Sequence, residues 1–170
     1  RVAGVPSIAV GNFAWDWIYE DFETENARWL EAVRAFRAGY EQAGLLLRLP
    51  FAEPMAAFPR REELPLVARP GRNRRDELAA RYGVDAAKTW VLLSFTTLDW
   101  DEAALREIGK LDDVVFFTVL PLGWPGENFC AVDRHAFSFS DVIASCDVVV
   151  SKPGYAILSE CVVNDKPPVY

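Results

Sequence analysis

Asp147-Val-Val-Val-Ser151-Lys152-Pro-Gly154-Tyr-Ala-Ile-Leu-Ser159-Glu160 decides how the chain folds. A run of β-branched apolar residues ends in Ser-Lys-Pro-Gly and passes directly into a helical pattern, which predicts a buried strand delivering the chain to a helix start. At such a corner, unpaired backbone N–H groups and the positive end of the helix dipole converge on one spot that suits a phosphate, and Lys152 adds a mobile cation. At 100° per residue from Gly154, Ile157, Leu158, Cys161 and Val162 fall on one stripe, and Ala156, Ser159 and Glu160 on the other. Glu160 is therefore expected to face outward. It is either a solvated helix carboxylate or an acceptor for both hydroxyls of a ribose lying next to the phosphate.

Working outward, residues 8–10 read as a strand and 15–22 as an aromatic-rich loop or short helix. A helix capped by Thr24 runs to about residue 40, with Trp29, Leu30, Val33, Phe36 and Tyr40 at helical spacing. Residues 45–49 form the next strand. Five of the eleven prolines then fall between positions 50 and 70, which reads as an interdomain linker. Beyond it come a helix over 74–82 stopped by Gly83, a core strand over 90–95, and a helix from 101 with Asp99 as its cap and Glu102 in the capping-box position. Strands follow at 114–120 and 129–132. Ser140 is expected to cap a helix over 141–146 that feeds the strand 147–150. The alternation predicts an α/β protein with parallel sheets covered by helices on both faces.

The wording of the decisive stretch, with Asn164-Asp165-Lys166-Pro167-Pro-Val-Tyr after it, resembles the donor-site helix of glycosyltransferases with the GT-B fold, especially the MurG-like family. At the other end, Val5-Pro-Ser-Ile-Ala-Val-Gly11-Asn12-Phe13-Ala-Trp15-Asp16-Trp17-Ile-Tyr19 resembles the closing strand and loop of a GT-B amino-terminal domain. More narrowly, it is similar to uncharacterised bacterial glycosyltransferase-like proteins and to the amino-terminal region of plant arabinokinase-type proteins. The resemblance implies two Rossmann-like domains: residues 1–49 as the end of an acceptor-side domain, 50–70 as the linker, and 71–170 as most of a donor-binding domain. It further implies transfer of a hexosyl group from a nucleotide-sugar donor to an acceptor. Donor contacts would come from Ser94, Thr96, Ser151, Lys152, Pro153, Gly154, Tyr155, Ser159 and Glu160. No metal cofactor is expected, because Lys152 and the helix start can carry a metal's role.

Composition narrows the classes. With 51% hydrophobic and 13% aromatic residues in 170, the chain can bury a core and is not disordered. The absence of Met at position 1 and the strand pattern at Tyr170 read as a fragment of a longer protein. A run of about eighteen apolar residues is lacking, as is a basic-then-apolar leader, so no membrane span is expected and a cytoplasmic location is. The net charge of −7 argues against nucleic acid as a partner. The local cluster Arg60, Arg61, Arg69, Arg72, Arg74, Arg75 reads as a solvated linker face. Cys130, Cys146 and Cys161 are odd in number and lack metal-ligand spacing, so buried free thiols are expected. His135 is the sole histidine, which leaves little basis for a Ser-His or Cys-His pair.

Two departures from the family pattern matter. Where MurG-like enzymes carry a glycine-rich phosphate loop, this chain has Ser94-Phe95-Thr96-Thr97-Leu98. The hydroxyls could hold a phosphate, but their side chains fill space that glycine leaves open. This favours a second reading, a non-catalytic sugar-sensing or scaffold module allied to a sugar kinase; a nucleotide-sugar epimerase is a third. The resemblance implies that a catalytic base would come from an earlier part of the amino-terminal domain, so it is expected upstream of position 1. Asp16, between two tryptophans after a strand end, is the local candidate, its other reading being a cap of the following turn. Phe13, Trp15 and Tyr19 could stack on a sugar or base in a cleft, or pack in a core. Trp100 and Trp124, each after a strand end, have the same two readings. Asp141 is a favourable charge at a helix start.

Overall fold

A computed structural model of the chain describes residues 4–22, 26–97, 100–121 and 126–170. The chain divides between Val67 and Ala68 into two units. In the first, β1 (Ile8–Gly11) runs parallel to β2 (Leu45–Arg48), and β2 runs parallel to β3 (Arg61–Glu63). Helices α1 (Trp15–Glu20) and α2 (Ala27–Tyr40) make the crossover from β1 to β2. Asn26 caps α2, its side chain accepting from the Arg28 N–H at 2.9 Å; the expected cap, Thr24, lies outside the described residues. Along α2 only Val33 is fully buried, so the aromatic positions of its stripe pack at half depth.

The proline-rich stretch read as a linker carries structure of the first unit. Met55 and Phe58 are buried beside Ala14 and Leu46, and Arg61-Glu62-Glu63 forms the edge strand. Pro59 and Pro65 flank β3 and so remove no ladder donor from it, and the charges on β3 discourage pairing with another chain.

The second unit is a five-stranded parallel sheet of order β6-β5-β4-β7-β8. After α3 (Arg75–Tyr82), stopped by Gly83 at φ 67°, the chain passes from β4 (Thr89–Ser94) through α4 (Glu102–Ile108) to β5 (Val114–Thr118), and then to β6 (Phe129–Ala131). It returns by α5 (Phe139–Ser145) to β7 (Val148–Ser151) on the opposite side of β4, and α6 (Tyr155–Val163) leads to β8 (Pro168–Val169). This confirms an α/β fold with two parallel sheets flanked by helices. The core gathers Leu78, Trp90, Leu92, Phe117, Val142, Ile143 and Val149.

Two further caps differ from expectation, each by two residues. Asp101 caps α4, accepting from the Ala104 N–H at 2.7 Å; Asp99 lies outside the described residues. Ser138 caps α5, accepting from the Asp141 N–H at 3.2 Å. Because α5 starts at Phe139, Ser140 is already inside the helix and buried. The arginine cluster is not simply solvated either: Arg61 reaches the Pro54 carbonyl, and Arg74 and Arg75 lie at the start of α3 with partners across the second unit. Among the described residues no helix is long and apolar enough to cross a membrane.

The cysteines are buried and free. Burial pushes the Cys146 thiol up to about 12 and the Cys130 thiol up to about 11, and raises Cys161 as well. Since the thiolate is the reactive form, a thiol reagent at neutral pH should label none of the three in the native chain and all three in denaturant. Labelling of any one before unfolding would contradict this packing.

Candidate functional site

The strand order reverses at β4. Its earlier crossover runs to β5 on one side, and the later strand β7 lies on the other, so the crevice at the carboxyl ends of β4 and β7 is the place where open α/β sheets hold ligands. Ser94 and Ser151 are register partners at that edge, and the Ser151 hydroxyl donates to the Ser94 carbonyl at 3.2 Å. The two strand exits therefore lie side by side. One presents Thr96 and Thr97, the other Lys152, Pro153 and Gly154, all exposed.

Gly154 is the N-cap of α6, extended at φ −86° and ψ 148°, and no side chain caps the helix. Its own N–H is taken by the Lys152 carbonyl at 2.8 Å. The N–H groups of the first turn, from Tyr155 to Ile157, lack intrahelical acceptors and carry the positive end of the dipole. A Cβ added at Gly154 meets nothing within 4 Å, so the fold tolerates a side chain there. The space above the helix start is open to a ligand.

The α6 faces differ from the stripe expected of them. Val162 is 60% exposed, while Ser159 is fully buried. Its hydroxyl and that of Tyr155 are buried without a hydrogen-bond partner. Glu160 is half-buried and accepts from the Ser140 hydroxyl at 3.2 Å through one carboxylate oxygen, leaving the other to accept from a ligand. The physical reason is a second covering layer. α5 packs along this side of α6, and Asn164, at its end, takes the Gly71 N–H at 2.8 Å while donating to the Glu160 carbonyl at 2.8 Å. A helix that is apolar nearly all round has no single stripe to read. Asp141 accepts from the Arg72 N–H at 2.8 Å; that bond first, and the Ser138 hydroxyl and Arg74 after it, hold its carboxyl below the usual range.

In the first unit Asp16 is 6% exposed. Its Oδ2 accepts from Arg37 Nε of α2 at 3.2 Å, so the carboxylate is held by an ion pair rather than by the turn that follows it. Oδ1 is buried without a partner. Phe13 and Trp15 are 43% and 44% exposed and meet edge to face at 5.4 Å. Trp15 stacks on Tyr19 and Tyr19 on Trp29 at 5.6 and 4.9 Å. The aromatics thus form a ladder over α1 and α2, neither a closed core nor a single platform. The Trp15 N–H donates to the Tyr40 hydroxyl at 3.2 Å, and burial raises the Tyr40 phenol. His135 is exposed, Trp100 is half-buried, and Trp124 lies outside the described residues. Among the described residues no three His, Cys, Asp or Glu side chains are placed to hold a metal ion.

Sequence reasoning missed the pairing of Ser94 with Ser151 and the ion pair of Asp16 with Arg37. Both join residues far apart in the chain, and no local spacing signals them.

No family model matches the chain, and no solved structure does. It is similar to the L-arabinokinase of Arabidopsis thaliana, with 28% identity over 183 aligned residues that take in 99% of this chain and 16% of that protein. The chain thus spans a small part of the length of the curated relative it matches.

Proposed function

We propose that the second unit binds a nucleotide sugar at the β4/β7 crevice, and that the chain is part of a GT-B-type transferase moving a hexosyl group from that donor to an acceptor. One observation carries this reading. The strand-order reversal pairs Ser94 with Ser151, so the exit of β4 that carries Thr96 and Thr97 leaves the same sheet edge as the exit of β7 that carries Lys152, Gly154 and the uncapped start of α6. A diphosphate seated there meets the first-turn N–H groups and the Lys152 ammonium, which strengthen as negative charge grows on the leaving group. Glu160 lies six residues along α6, about 9 Å by helical rise, and its free carboxylate oxygen suits a ribose hydroxyl. The wording of residues 151–160 supports the MurG-like assignment.

A second reading keeps the ligand and drops the transfer: a sugar-nucleotide-sensing module allied to a sugar kinase. Similarity to an L-arabinokinase supports it, as do the side chains of Ser94-Phe95-Thr96-Thr97 where the transferases have glycine.

Thermal-shift titration against UDP, GDP, ADP and dTDP tests both. One nucleotide at a hundredfold excess over its Kd should stabilise the chain by about 2.7 kcal/mol. Lys152→Ala should weaken that nucleotide about tenfold through loss of a charge-assisted contact. Gly154→Leu should abolish binding while leaving the unliganded midpoint unchanged, since the added side chain has room in the fold. Absence of a shift with every nucleotide would sink the site. Slow release of nucleotide from the matching sugar donor, with water as acceptor, separates the transferase from the sensing module.

A further inference from the structure

The first unit contains a cavity of about 410 Å³ whose lining includes Asp16, Glu20, Glu41 and Glu53 against a single cation, Arg37. Arg37 is already committed: its Nε binds Asp16 Oδ2, and its Nη2 binds Glu20. Two carboxylate oxygens remain buried and without a partner, Asp16 Oδ1 and Glu53 Oε1. The Asp16 side chain is 9% exposed, and the other Glu53 oxygen is tied down by the Met55 N–H at 2.6 Å. Buried carboxylate oxygens left unpaired are costly, and sites that keep them in native proteins call for a missing partner.

We infer that this cavity binds a small organic molecule through a primary ammonium group. Such a group supplies three donors and no acceptor, enough for both orphan oxygens, along with positive charge to offset the excess of carboxylates over the one lining cation, Arg37. A neutral polyol offers donors without the charge. A divalent metal is disfavoured because no three candidate ligands converge among the described residues. Trp17, half-exposed on the cavity wall, offers an indole face for an ammonium or for the apolar ring that carries it. None of these residues belongs to the crevice of the second unit, so the inference stands apart from the function proposed above.

Calorimetric titration with cyclohexylammonium, paired with cyclohexanol as its neutral isostere, tests it. The ammonium should bind with a Kd of about 1 mM or tighter, and the alcohol at least about tenfold more weakly. Glu53→Gln should reduce ammonium affinity about tenfold. Glu41 is exposed and makes no ion pair among the described contacts, so Glu41→Gln leaves the fold intact and should reduce affinity about twofold. Asp16→Asn should lose more, but it also loosens Arg37, so the two glutamine variants carry the test. Raising the ionic strength from about 0.01 M to about 1 M, which shortens the Debye length from about 30 Å to about 3 Å, should weaken the ammonium several-fold. Equal binding of alcohol and ammonium, no binding of either, or unchanged affinity in both glutamine variants would overturn the assignment.

Discussion

Arg75→Ala should lower the melting midpoint of the second unit by about 15 °C, corresponding to a loss of about 2–3 kcal/mol at about 4–8 °C for each kcal/mol in a unit of this size. Arg75 ties together several segments of the second unit. Its Nε donates to the Ala86 carbonyl at 2.9 Å, its Nη2 to the Lys88 carbonyl at 2.6 Å, and its Nη1 to the Ser145 carbonyl at 3.2 Å. The same Nη1 pairs with both Asp147 oxygens at 2.9 and 3.0 Å, while the guanidinium lies 4.3 Å over the Trp90 ring. Asp147 in turn accepts from the Trp90 N–H at 2.8 Å. Truncation would leave three carbonyls and the half-exposed Asp147 carboxylate short of a donor at the base of β4 and β7, and the carbonyls carry most of the cost. Lysine keeps the charge but has no planar fork, so Arg75→Lys should recover less than half of the loss. Arg74→Ala removes contacts nearer the surface, to Glu77 and the Phe137 ring, and should cost visibly less. A shift below about 4 °C for Arg75→Ala would refute the central role given to this residue.

Gly71→Ala is the second large effect, expected to cost about 2 kcal/mol through overpacking. A Cβ at this position would stand 1.9 Å from the Ser140 carbonyl oxygen, 2.2 Å from its carbon and 2.7 Å from the Asp141 nitrogen. All three are backbone atoms, so no rotamer change relieves the clash. Residues 69–73 would have to lift, breaking the Gly71 N–H bond to Asn164 and the Arg72 N–H bond to Asp141. Hydrogen exchange should show lost protection at Arg72 together with the fall in midpoint. Because this segment covers the side of α6 that carries Glu160, the variant should also weaken any nucleotide bound there. Retained protection at Arg72 with an unchanged midpoint would mean that the close approach is absent.

What could be read from the chain, and what could not, divides along the range of the forces involved. The strands of the second unit were legible because parallel strands buried on both faces need unbroken apolar runs such as Val148-Val149-Val150. The stop at Gly83 was legible because a left-handed residue ends a helix most cheaply at glycine. The caps were not. Asp99 and Asp101, or Ser138 and Ser140, are equally good candidates two residues apart, and the docking of the helix decides between them. The outward face assigned to Ser159 failed for a related reason, since α5 and the Gly71 segment bury a side of α6 that local periodicity cannot see.

For the candidate site, the sequence by itself determined the chemistry on offer at one corner: a strand, Lys152, Gly154 and a helix start. Only the tertiary structure decided that β7 lies against β4, which sets Ser151 beside Ser94 and so brings the two strand exits to one edge of the sheet. It also decided that Asp16 meets Arg37 in a cavity with unpaired carboxylate oxygens. Strand order and side-chain pairing across tens of residues arise from burying faces against one another. That energy belongs to the assembled sheet and helices and to no single stretch of chain.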